Sequence, residues 1–444
     1  MAYTIDKQTH TDLNVTGRFR HNSIFSIFND TQTKGASLLM EKVFSDPLTN
    51  ASEINSRRDI FSSLKDFETK MPISGDQLSQ VEEYLGSTDY ASGIISLVAM
   101  YKTKILSIAI ADQQYSHIVE GVDLASKLLA PLPDYLQQVK EHVSGTQLET
   151  KVAEAISLLE EAPLSKFINS SAQGLSLSSL ASKNRLLRYS YGDKLRKLFR
   201  LLEEVDFYTT VARVGREKGF QYANALDGEQ MFVDIKNVRH PRVPGAVGND
   251  ISMNHSSNVI FLTGANMAGK STLMKSFGIA VYMAHLGFPM AIDKMEFTPL
   301  EGMFTSINVP DDISQGYSHF YAEVMRVKGV AQEVASGKRL MVIFDELFKG
   351  TNVKDAYDGT VAITRAFSRC HKCIFVISTH IMEAGLTLKQ ECDNLQFLYL
   401  PTQLSQDGRP KYTYKLTEGI ADDRYGMRII NNEKIIEIIR GEKE

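Results

Sequence analysis

The sequence has few cysteines, no recognisable secretory leader and no excess of positive charge, and each shortage excludes a class of protein. Three cysteines in 444 residues cannot all pair with one another, which argues against a disulfide scaffold. The first fifteen residues contain no basic segment followed by an apolar run, so no secretory signal is expected. These features together predict a protein of the reducing cytoplasm.

Long apolar runs are also scarce. The longest apolar stretch, Gly93 to Ala111, is interrupted by Tyr101, Lys102 and Lys104. Such a stretch is too polar for a membrane span and predicts a buried helix. The net charge of −4 excludes a globally basic nucleic-acid binder but leaves room for a local basic patch.

One part of the chain concentrates basic side chains, and a single acid, Asp193, interrupts it. Two interpretations stay open: a surface that binds nucleic-acid phosphates, and an ordinary solvated helix face. The basic residues are Lys183, Arg185, Arg188, Lys194, Arg196, Lys197 and Arg200.

Cys370 and Cys373 form a Cys-x-x-Cys pair directly before an apolar, strand-like run. A zinc or redox site would need further ligands, for which only Cys392 is available. The spacing therefore favours two reduced thiols at the edge of a strand, and a metal or redox site is the alternative.

The chain is too long for one compact core, since single cores stop growing near about 250 residues. From Asp12 to Leu226 apolar residues recur at spacings of three and four, which predicts helix after helix. A Ser/Leu-rich stretch, Gly174 to Ser182, is expected to form a loop or a short strand pair.

After Asp227 the pattern changes to short β-branched runs followed by glycine-containing turns and helices. This pattern is typical of a parallel or mixed sheet with helical crossovers. We therefore expect a multidomain protein, with an all-α domain over residues 1–225 and an α/β domain over residues 226–444.

The apolar run Val259 to Thr263 leads into a segment that fits the pattern Gly-x-x-x-x-Gly-Lys-Ser/Thr. Glycines let the backbone turn its N–H groups toward an anion, Lys270 supplies positive charge for the β and γ phosphates of ATP, and Ser271 can ligate Mg²⁺. The predicted nucleotide-binding residues are Gly264, Ala265, Asn266, Met267, Ala268, Gly269, Lys270, Ser271 and Thr272.

Two later strands also end in polar residues. Asp345 and Glu346 follow the apolar run 340–344, where Asp345 is expected to hold Mg²⁺ and Glu346 to orient the attacking water. His380 ends the third run and is expected to lie beside the γ-phosphate. The predicted catalytic residues are therefore Lys270, Glu346 and His380.

The glycine-rich segment and several others resemble those of a known family. The segment Thr263–Thr272, with Asn266 and Met267 inside it, is similar to the phosphate loop of the MutS DNA mismatch-repair ATPases. Further similar segments are Arg239–Pro241, Asn249–Asp250, Asp311–Phe320, Gly350–Thr351 and Tyr414–Leu416. The resemblance implies an ABC-type P-loop ATPase domain, preceded by the family's helical lever domain with a shortened or absent clamp.

The segment Asp311–Phe320 looks like the family's signature segment, which reaches the γ-phosphate bound by the other subunit. The resemblance assigns that role to Ser318 and implies a homodimer with composite ATP sites. It also implies that the mismatch-reading and connector domains of the full-length repair proteins have no room before the lever.

The function that we expect is ATP-dependent DNA binding, in mismatch repair or on distorted or branched DNA, with ATP and Mg²⁺ as cofactors and no membrane partner. An ATP-driven protein-assembly module that does not bind DNA directly is the alternative. A small-molecule kinase is disfavoured, because it has no use for a segment like that around Ser318.

Overall fold

A computed structural model of the chain describes residues 2–17, 22–86, 112–168, 176–307, 319–404, 410–421 and 435–440. The helix expected within 93–111 and the residue Ser318 lie outside these ranges. Contacts divide the chain into two compact units, the first formed by residues 1–26, 44–58 and 218–444 and the second by residues 27–43 and 59–217.

The described helices and strands are as follows. The helices are α1 (Lys7–Asp12), α2 (Phe25–Phe28), α3 (Lys34–Ser45), α4 (Ala51–Ser63), α5 (Gly75–Gly86), α6 (Asp112–Leu129), α7 (Leu132–His142), α8 (Gln147–Glu160), α9 (Ala162–Ile168), α10 (Leu177–Arg185), a π-helical turn (Leu186–Ser190), α11 (Gly192–Glu217), α12 (Lys270–His285), α13 (His319–Ala335), α14 (Val353–Ser368), α15 (Met382–Glu391) and α16 (Ile435–Arg440). The strands are β1 (Thr4–Ile5), β2 (Ala223–Ala225), β3 (Phe232–Val238), β4 (Asn249–Asn254), β5 (Val259–Gly264), β6 (Lys294–Phe297), β7 (Gly302–Ser306), β8 (Leu340–Asp345), β9 (Ile374–Ser378), β10 (Leu395–Leu400), β11 (Thr402–Leu404), β12 (Pro410–Tyr412) and β13 (Thr417–Glu418).

The two observed units differ from the predicted domains, which had a single boundary between residues 225 and 226. The N-terminal strand β1 pairs in parallel with β7, so the start of the chain belongs to the unit that contains the sheet. Residues 44–58 join the same unit, where the hydroxyl of Tyr282 donates to the carbonyl of Phe44 at 2.5 Å. Chain order alone does not reveal such long-range pairings.

The described elements lying wholly within the second unit are helical, as the apolar spacing predicts. Helix α11 is 26 residues long and buries Leu195, Leu198, Leu202 and Val205 at helical spacing. The prediction for Gly174 to Ser182 is wrong from residue 177 onward. Helix α10 begins there, because the hydroxyl of Ser176 caps it and Leu180 and Ala181 are buried.

Asp206 of α11 is buried among the helices of the second unit. Its carboxylate accepts hydrogen bonds from the backbone N–H groups of Gln32 and Thr33, at 2.9 and 2.7 Å, and from the Thr33 hydroxyl at 2.8 Å. These donors satisfy a charge that would otherwise be costly to bury. Asp206 therefore ties residues 32 and 33 to the long helix.

The first unit contains a seven-stranded sheet of order β1-β7-β8-β9-β5-β10-β13. All neighbouring pairs are parallel except β10 with β13, so the sheet is mixed. A four-stranded sheet of order β2-β6-β3-β4 and a β11-β12 ribbon complete the described strands. Helices and a mixed sheet make this an α/β unit, as the sequence predicts.

The central strands are almost wholly apolar and buried, which is typical of parallel strands covered on both faces. Parallel register aligns Leu262 of β5 with Ser378 of β9, and Ser378 with Asp345 of β8. The carboxyl ends of β5, β8 and β9 therefore meet at one edge of the sheet. None of the described helices is long and apolar enough to cross a membrane.

Candidate functional site

The glycine-rich segment after β5 forms a tight turn into α12. Gly269 precedes the helix with φ of 101°, and Gly264 ends the strand with φ of 138°. L side chains rarely adopt these angles, and a Cβ atom on Gly269 would lie 3.0 Å from the ring of Tyr414. The turn therefore requires glycine at the first and sixth positions of the sequence pattern.

Lys270 is the first residue of α12, and its side chain folds back over the turn. The Nζ atom donates to the carbonyls of Gly264 at 2.8 Å and Ala265 at 3.1 Å. Burial lowers the pKa of Lys270, and the nearby charges of Asp345 and Glu346 oppose that shift. The lysine is a buried cation held by neutral acceptors within its own loop.

The N-terminus of α12 carries no side-chain cap and no acidic residue in its first turn. Its N–H groups and the helix dipole therefore present partial positive charge beside Lys270. Such a terminus is a common binding site for phosphate.

Ser271 and Asp345 meet where β8 ends. The Ser271 hydroxyl donates to Oδ2 of Asp345 at 2.6 Å. The other carboxylate oxygen, Oδ1 of Asp345, is buried and has no hydrogen-bond partner among the described residues. An unsatisfied buried carboxylate oxygen is costly, and a bound cation is one way to satisfy it. Serine and aspartate oxygens suit Mg²⁺.

Glu346 and His380 form a second pair at the same edge. Nε2 of His380 lies 2.6 Å from Oε1 of Glu346, and Nζ of Lys349 lies 3.9 Å from Oε2. The hydrogen bond from His380 lowers the pKa of Glu346, aided by the positive charges of Lys349 and Lys270 and opposed by burial. The Glu346 carboxylate is therefore ionised at neutral pH.

Left-handed backbone angles cluster around the site at residues other than glycine. Met267, Glu346 and Phe348 have φ values of 65°, 56° and 62°. Such angles cost free energy and persist where surrounding contacts hold them in place. For Glu346, the backbone N–H donates to the carbonyl of Ser378 at 2.9 Å, which fixes the residue against β9.

The turn lies in a cleft of about 580 Å³. Most of the predicted nucleotide-binding residues line it, together with Glu346. Asp345 and His380 do not line the cleft, but Asp345 is bonded to Ser271 and His380 to Glu346, which do. Ser318 lies outside the described residues. The predicted residues that line the cleft are Ala265, Asn266, Met267, Gly269, Lys270, Ser271 and Thr272.

The opposite wall of the cleft was only partly expected from the sequence. His240, Asn249 and Tyr414, which lie in segments that resemble the family, line it. The apolar residues of the segment 243–247 and Leu400 were missed. The Pro-Gly pair in that segment signals a turn, but no local pattern shows that the turn faces the loop after β5.

Asn249 fastens this wall to the segment that closes the unit. Its side-chain amide donates to the Tyr414 carbonyl at 3.0 Å and accepts from the Leu416 backbone N–H at 2.7 Å. Nζ of Lys415 adds a bond of 2.7 Å to the Gly248 carbonyl. These contacts hold the half-exposed ring of Tyr414 at the cleft.

The cysteine pair fits the structural interpretation better than a metal or redox site. Cys373 is buried, its thiol donates to the Lys338 carbonyl at 3.3 Å, and burial raises the pKa of Cys373 to about 11. The thiolate that binds metal or attacks a disulfide is therefore scarce at neutral pH. Within the described ranges, no group of three or more His, Cys, Asp or Glu side chains could hold a metal ion.

The basic run between residues 183 and 200 does not form one uniform patch. Arg188 is buried, whereas Lys194 pairs with Glu161 and Arg196 with Asp193, each at 2.8 Å. The remaining exposed cations of the run include Arg185, Lys197 and Arg200.

The geometry defines a class of protein. It is an α/β protein whose mixed sheet presents a glycine-rich turn, a buried lysine and a serine-carboxylate pair at the carboxyl ends of adjacent strands. A glutamate-histidine pair lies next to them.

Comparisons with known proteins show what part of the chain is similar to. A family model described as MutS domain V matches residues 260–441. The DNA mismatch repair protein MutS of Lactococcus lactis subsp. lactis (strain IL1403) is 30% identical over 248 residues, which are 54% of this chain and 29% of that protein. The protein of the same name from Petrotoga mobilis (strain DSM 10674 / SJ95) is 29% identical over 261 residues, 57% of this chain and 31% of that protein. Residues 260–441 are therefore similar to domain V of the MutS proteins.

The match covers only part of this chain and only part of each relative. It spans less than a third of the length of these two relatives and little more than half of this chain. The family model covers strands β5 to β13 apart from the first residue of β5, and with them the glycine-rich turn, Asp345, Glu346 and His380.

Proposed function

We propose that this protein is a Mg²⁺-dependent ATPase of the MutS family, whose dimer couples ATP binding and hydrolysis to clamping of mismatched, distorted or branched DNA. The observation that carries the ATPase part is the Ser271–Asp345 pair beside Lys270, at a helix N-terminus that no side chain caps. A cation and the N–H groups of a helix N-terminus, next to a metal-type oxygen pair, suit a nucleoside triphosphate.

Lys270 and the N–H groups of the turn would hold the phosphates. In the described structure Lys270 donates to two neutral carbonyls. Phosphate oxygens carry negative charge and would therefore be stronger partners for the ammonium group than neutral carbonyls are. The lysine can therefore transfer its hydrogen bonds to the nucleotide without leaving the turn.

Ser271 and Asp345 would hold Mg²⁺. The unsatisfied Oδ1 atom of Asp345 supports this assignment, because it gives the carboxylate an oxygen that no described residue uses. When bound, the ion supplies positive charge that neutralises the phosphoryl oxygens during transfer.

Glu346 would orient the attacking water and accept its proton. The low pKa keeps this carboxylate in the ionised form that a base requires. His380 fixes the Oε1 atom and leaves Oε2 as the freer acceptor, with Lys349 at 3.9 Å. From its position at the end of β9, His380 would also contact the γ-phosphate.

The apolar wall would take the base of the nucleotide. The ring of Tyr414 is half exposed at the cleft, beside the aliphatic side chains of Val243, Val247 and Leu400. Aromatic rings and flat apolar surfaces bind a purine by stacking.

The dimer and the DNA are proposed from the similarity to the family. The two relatives compared above are DNA mismatch repair proteins by name. By the resemblance, Ser318 would serve the ATP site of the other subunit, and the helical unit would act as the lever that holds the DNA backbone. ATP would favour the closed dimer by binding it more tightly than the open one.

A second function has one observation in its favour. Lys194 and Arg196 are engaged in ion pairs and Arg188 is buried, which removes these three from the cations that could meet phosphates freely. A protein-assembly ATPase that does not touch DNA would need no basic surface at all.

Binding of the purified protein to homoduplex, mismatched and branched DNA, with and without ATP and across a salt series, separates the two functions. DNA clamping predicts nucleotide-dependent binding that weakens as salt is raised, because phosphate contacts release counterions. An absence of binding at low salt would refute the DNA function and leave protein assembly.

A further inference from the structure

Tyr414 is held at the cleft in a backbone conformation that tyrosine rarely adopts. Its φ is 55°, which lies in the left-handed region that favours glycine. Its ring lies close to the glycine-rich turn, since a Cβ atom on Gly269 would be 3.0 Å from it. Residues in such conformations persist where neighbouring contacts hold them, and they cluster at ligand sites.

Asn249 supplies contacts that hold the backbone around Tyr414. Its side chain is buried, and the Nδ2 atom donates to the Tyr414 carbonyl at 3.0 Å. The Oδ1 atom accepts from the backbone N–H of Leu416 at 2.7 Å. A single amide therefore bonds the chain at residue 414 and again at residue 416, which fixes the direction in which the ring leaves the backbone.

The support for this amide is rigid. Asn249 begins strand β4, where it pairs with Val238 of β3. Groups carried on strands are placed more accurately than groups carried on loops. The Nδ2 atom also donates to the Val247 carbonyl at 3.4 Å, so the amide nitrogen already serves two carbonyls. Asn249 is therefore suited to act on a nucleotide through Tyr414 and not by reading the base itself.

We propose that Asn249 is a positioning residue that makes the cleft prefer purine over pyrimidine nucleoside triphosphates, because it holds the ring of Tyr414 in place to stack on the base. This inference rests on the proposed function, in which the cleft binds a nucleoside triphosphate. A purine offers a larger flat face than a pyrimidine does, so an ordered ring favours the purine nucleotide more.

The energetic reason is preorganisation. A ring on an unrestrained segment must lose conformational freedom when it stacks, and that loss subtracts from the free energy of binding. The Asn249 amide orders the ring in the folded protein before the nucleotide arrives. Stacking of a base on an aromatic ring contributes about tenfold or more in affinity. The phosphates, which Lys270 and the turn would hold, do not need the ring.

The first test compares three ligands on the wild type and on Asn249→Ala. They are non-hydrolysable analogues of ATP and CTP, and inorganic tripolyphosphate, each with Mg²⁺. The substitution should weaken binding of the ATP analogue by about tenfold and of tripolyphosphate by less than about twofold. The CTP analogue should lose less affinity than the ATP analogue, so the preference for the purine shrinks.

Tripolyphosphate also serves as the folding control, because a variant that binds it normally has an intact phosphate site. Asn254→Ala is the matched substitution. Asn254 is the exposed last residue of the same strand, and its Oδ1 atom accepts from the backbone N–H of Ser256 at 2.9 Å. Its loss should leave all three affinities unchanged. An Asn249→Ala variant with the purine preference of the wild type would overturn the proposal.

A double-mutant cycle shows whether Asn249 acts through the ring. Tyr414→Ala removes the ring and should lower affinity for the ATP analogue by about tenfold. Adding Asn249→Ala to that variant should then change the affinity by less than about twofold, because the group that Asn249 positions is gone. Losses that add in full would show that Asn249 acts by another route, and the positioning role would be wrong.

The chain contains no tryptophan, so Tyr414→Trp gives a single fluorescent reporter at the cleft. The ATP analogue should quench its fluorescence, and Asn249→Ala in the same chain should reduce the quenching at saturating ligand. Unchanged quenching would overturn the proposal. A wild type that binds tripolyphosphate as tightly as the ATP analogue would refute this inference alone, whereas a wild type that binds neither ligand would refute the proposed function and this inference with it.

Discussion

Nε2 of His380 lies 2.6 Å from Oε1 of Glu346, and this hydrogen bond is the main cause of the lowered pKa of Glu346. The two residues are 34 positions apart and meet because β8 and β9 are parallel neighbours. The contact fixes both the charge and the direction of the carboxylate that we assign as the base.

Replacement of His380 by alanine tests that contact. The pKa of Glu346 should rise toward its ordinary value, because the largest cause of its lowering is lost. We expect kcat to fall by about tenfold to a hundredfold and nucleotide affinity to change little. The titration midpoint of the Glu346 carboxyl carbon by NMR and the steady-state kcat check the two effects.

His380→Gln is the matched control, since the glutamine amide can donate to the same carboxylate oxygen. It should keep a pKa for Glu346 below that of the alanine variant and recover part of the rate. A His380→Ala variant with an unchanged Glu346 midpoint would show that the histidine does not set the charge of the base.

Gly269→Ala tests the turn that precedes α12. The residue has φ of 101°, and the new Cβ atom would lie 3.0 Å from the ring of Tyr414. Backbone strain of about 1–2 kcal/mol should weaken nucleotide binding by about tenfold, measured by titration with a non-hydrolysable analogue.

Gly329→Ala is the control for that substitution. Gly329 lies within α13, and a Cβ atom there would meet no other atom within 4 Å. It should leave nucleotide binding unchanged and stabilise the helix by about 0.5–1 kcal/mol. Equal nucleotide affinities for the two variants would contradict the strained-turn account.

The burial of His285 predicts that the folded protein loses stability in acid. It is fully buried, Leu300 donates its backbone N–H to Nε2 at 2.9 Å, and burial lowers the pKa of His285 to about 4. The folded protein therefore holds this ring neutral, while the unfolded chain protonates it near 6.5. The stability that His285 contributes is complete above pH 6.5 and is lost as the pH falls toward 4.

The difference between 6.5 and about 4 corresponds to about 3 kcal/mol in the free energy of unfolding. Urea unfolding of the wild type and of His285→Gln between pH 7.5 and 4.5 measures it. The wild type should lose stability more steeply than the variant over this interval. Parallel curves would mean that His285 is already protonated in the folded protein.

Local sequence patterns predict most of the α/β unit and the polar residues at one edge of its sheet. The runs that become β5, β8 and β9 are apolar and short, and each is followed by polar residues. Because parallel strands end at one edge, Lys270, Asp345 and Glu346 could be grouped before any coordinates were known. The contact between His380 and Glu346 follows from the same rule.

Long-range pairing explains what the sequence did not predict. Nothing in the residues near Thr4 indicates that β1 pairs with β7, 298 positions away, or that Asp12 accepts a bond from Ile307. The sequence also does not show that the apolar residues at 243–247 line the cleft, since a turn with a Pro-Gly pair has no preferred neighbour. The serines of the stretch 174–182 suggested a loop, although one of them caps α10.

Nucleotide binding and hydrolysis, measured in parallel for the wild type, Lys270→Ala and Glu346→Gln with and without Mg²⁺, test the central claim most directly. We predict Mg²⁺-dependent hydrolysis by the wild type, loss of binding in Lys270→Ala, and normal binding with kcat reduced by about a hundredfold or more in Glu346→Gln. Glu383→Gln, at an exposed glutamate of α15, should behave as the wild type. Hydrolysis at the wild-type rate by Glu346→Gln, or no nucleotide binding by the wild type, would contradict the account.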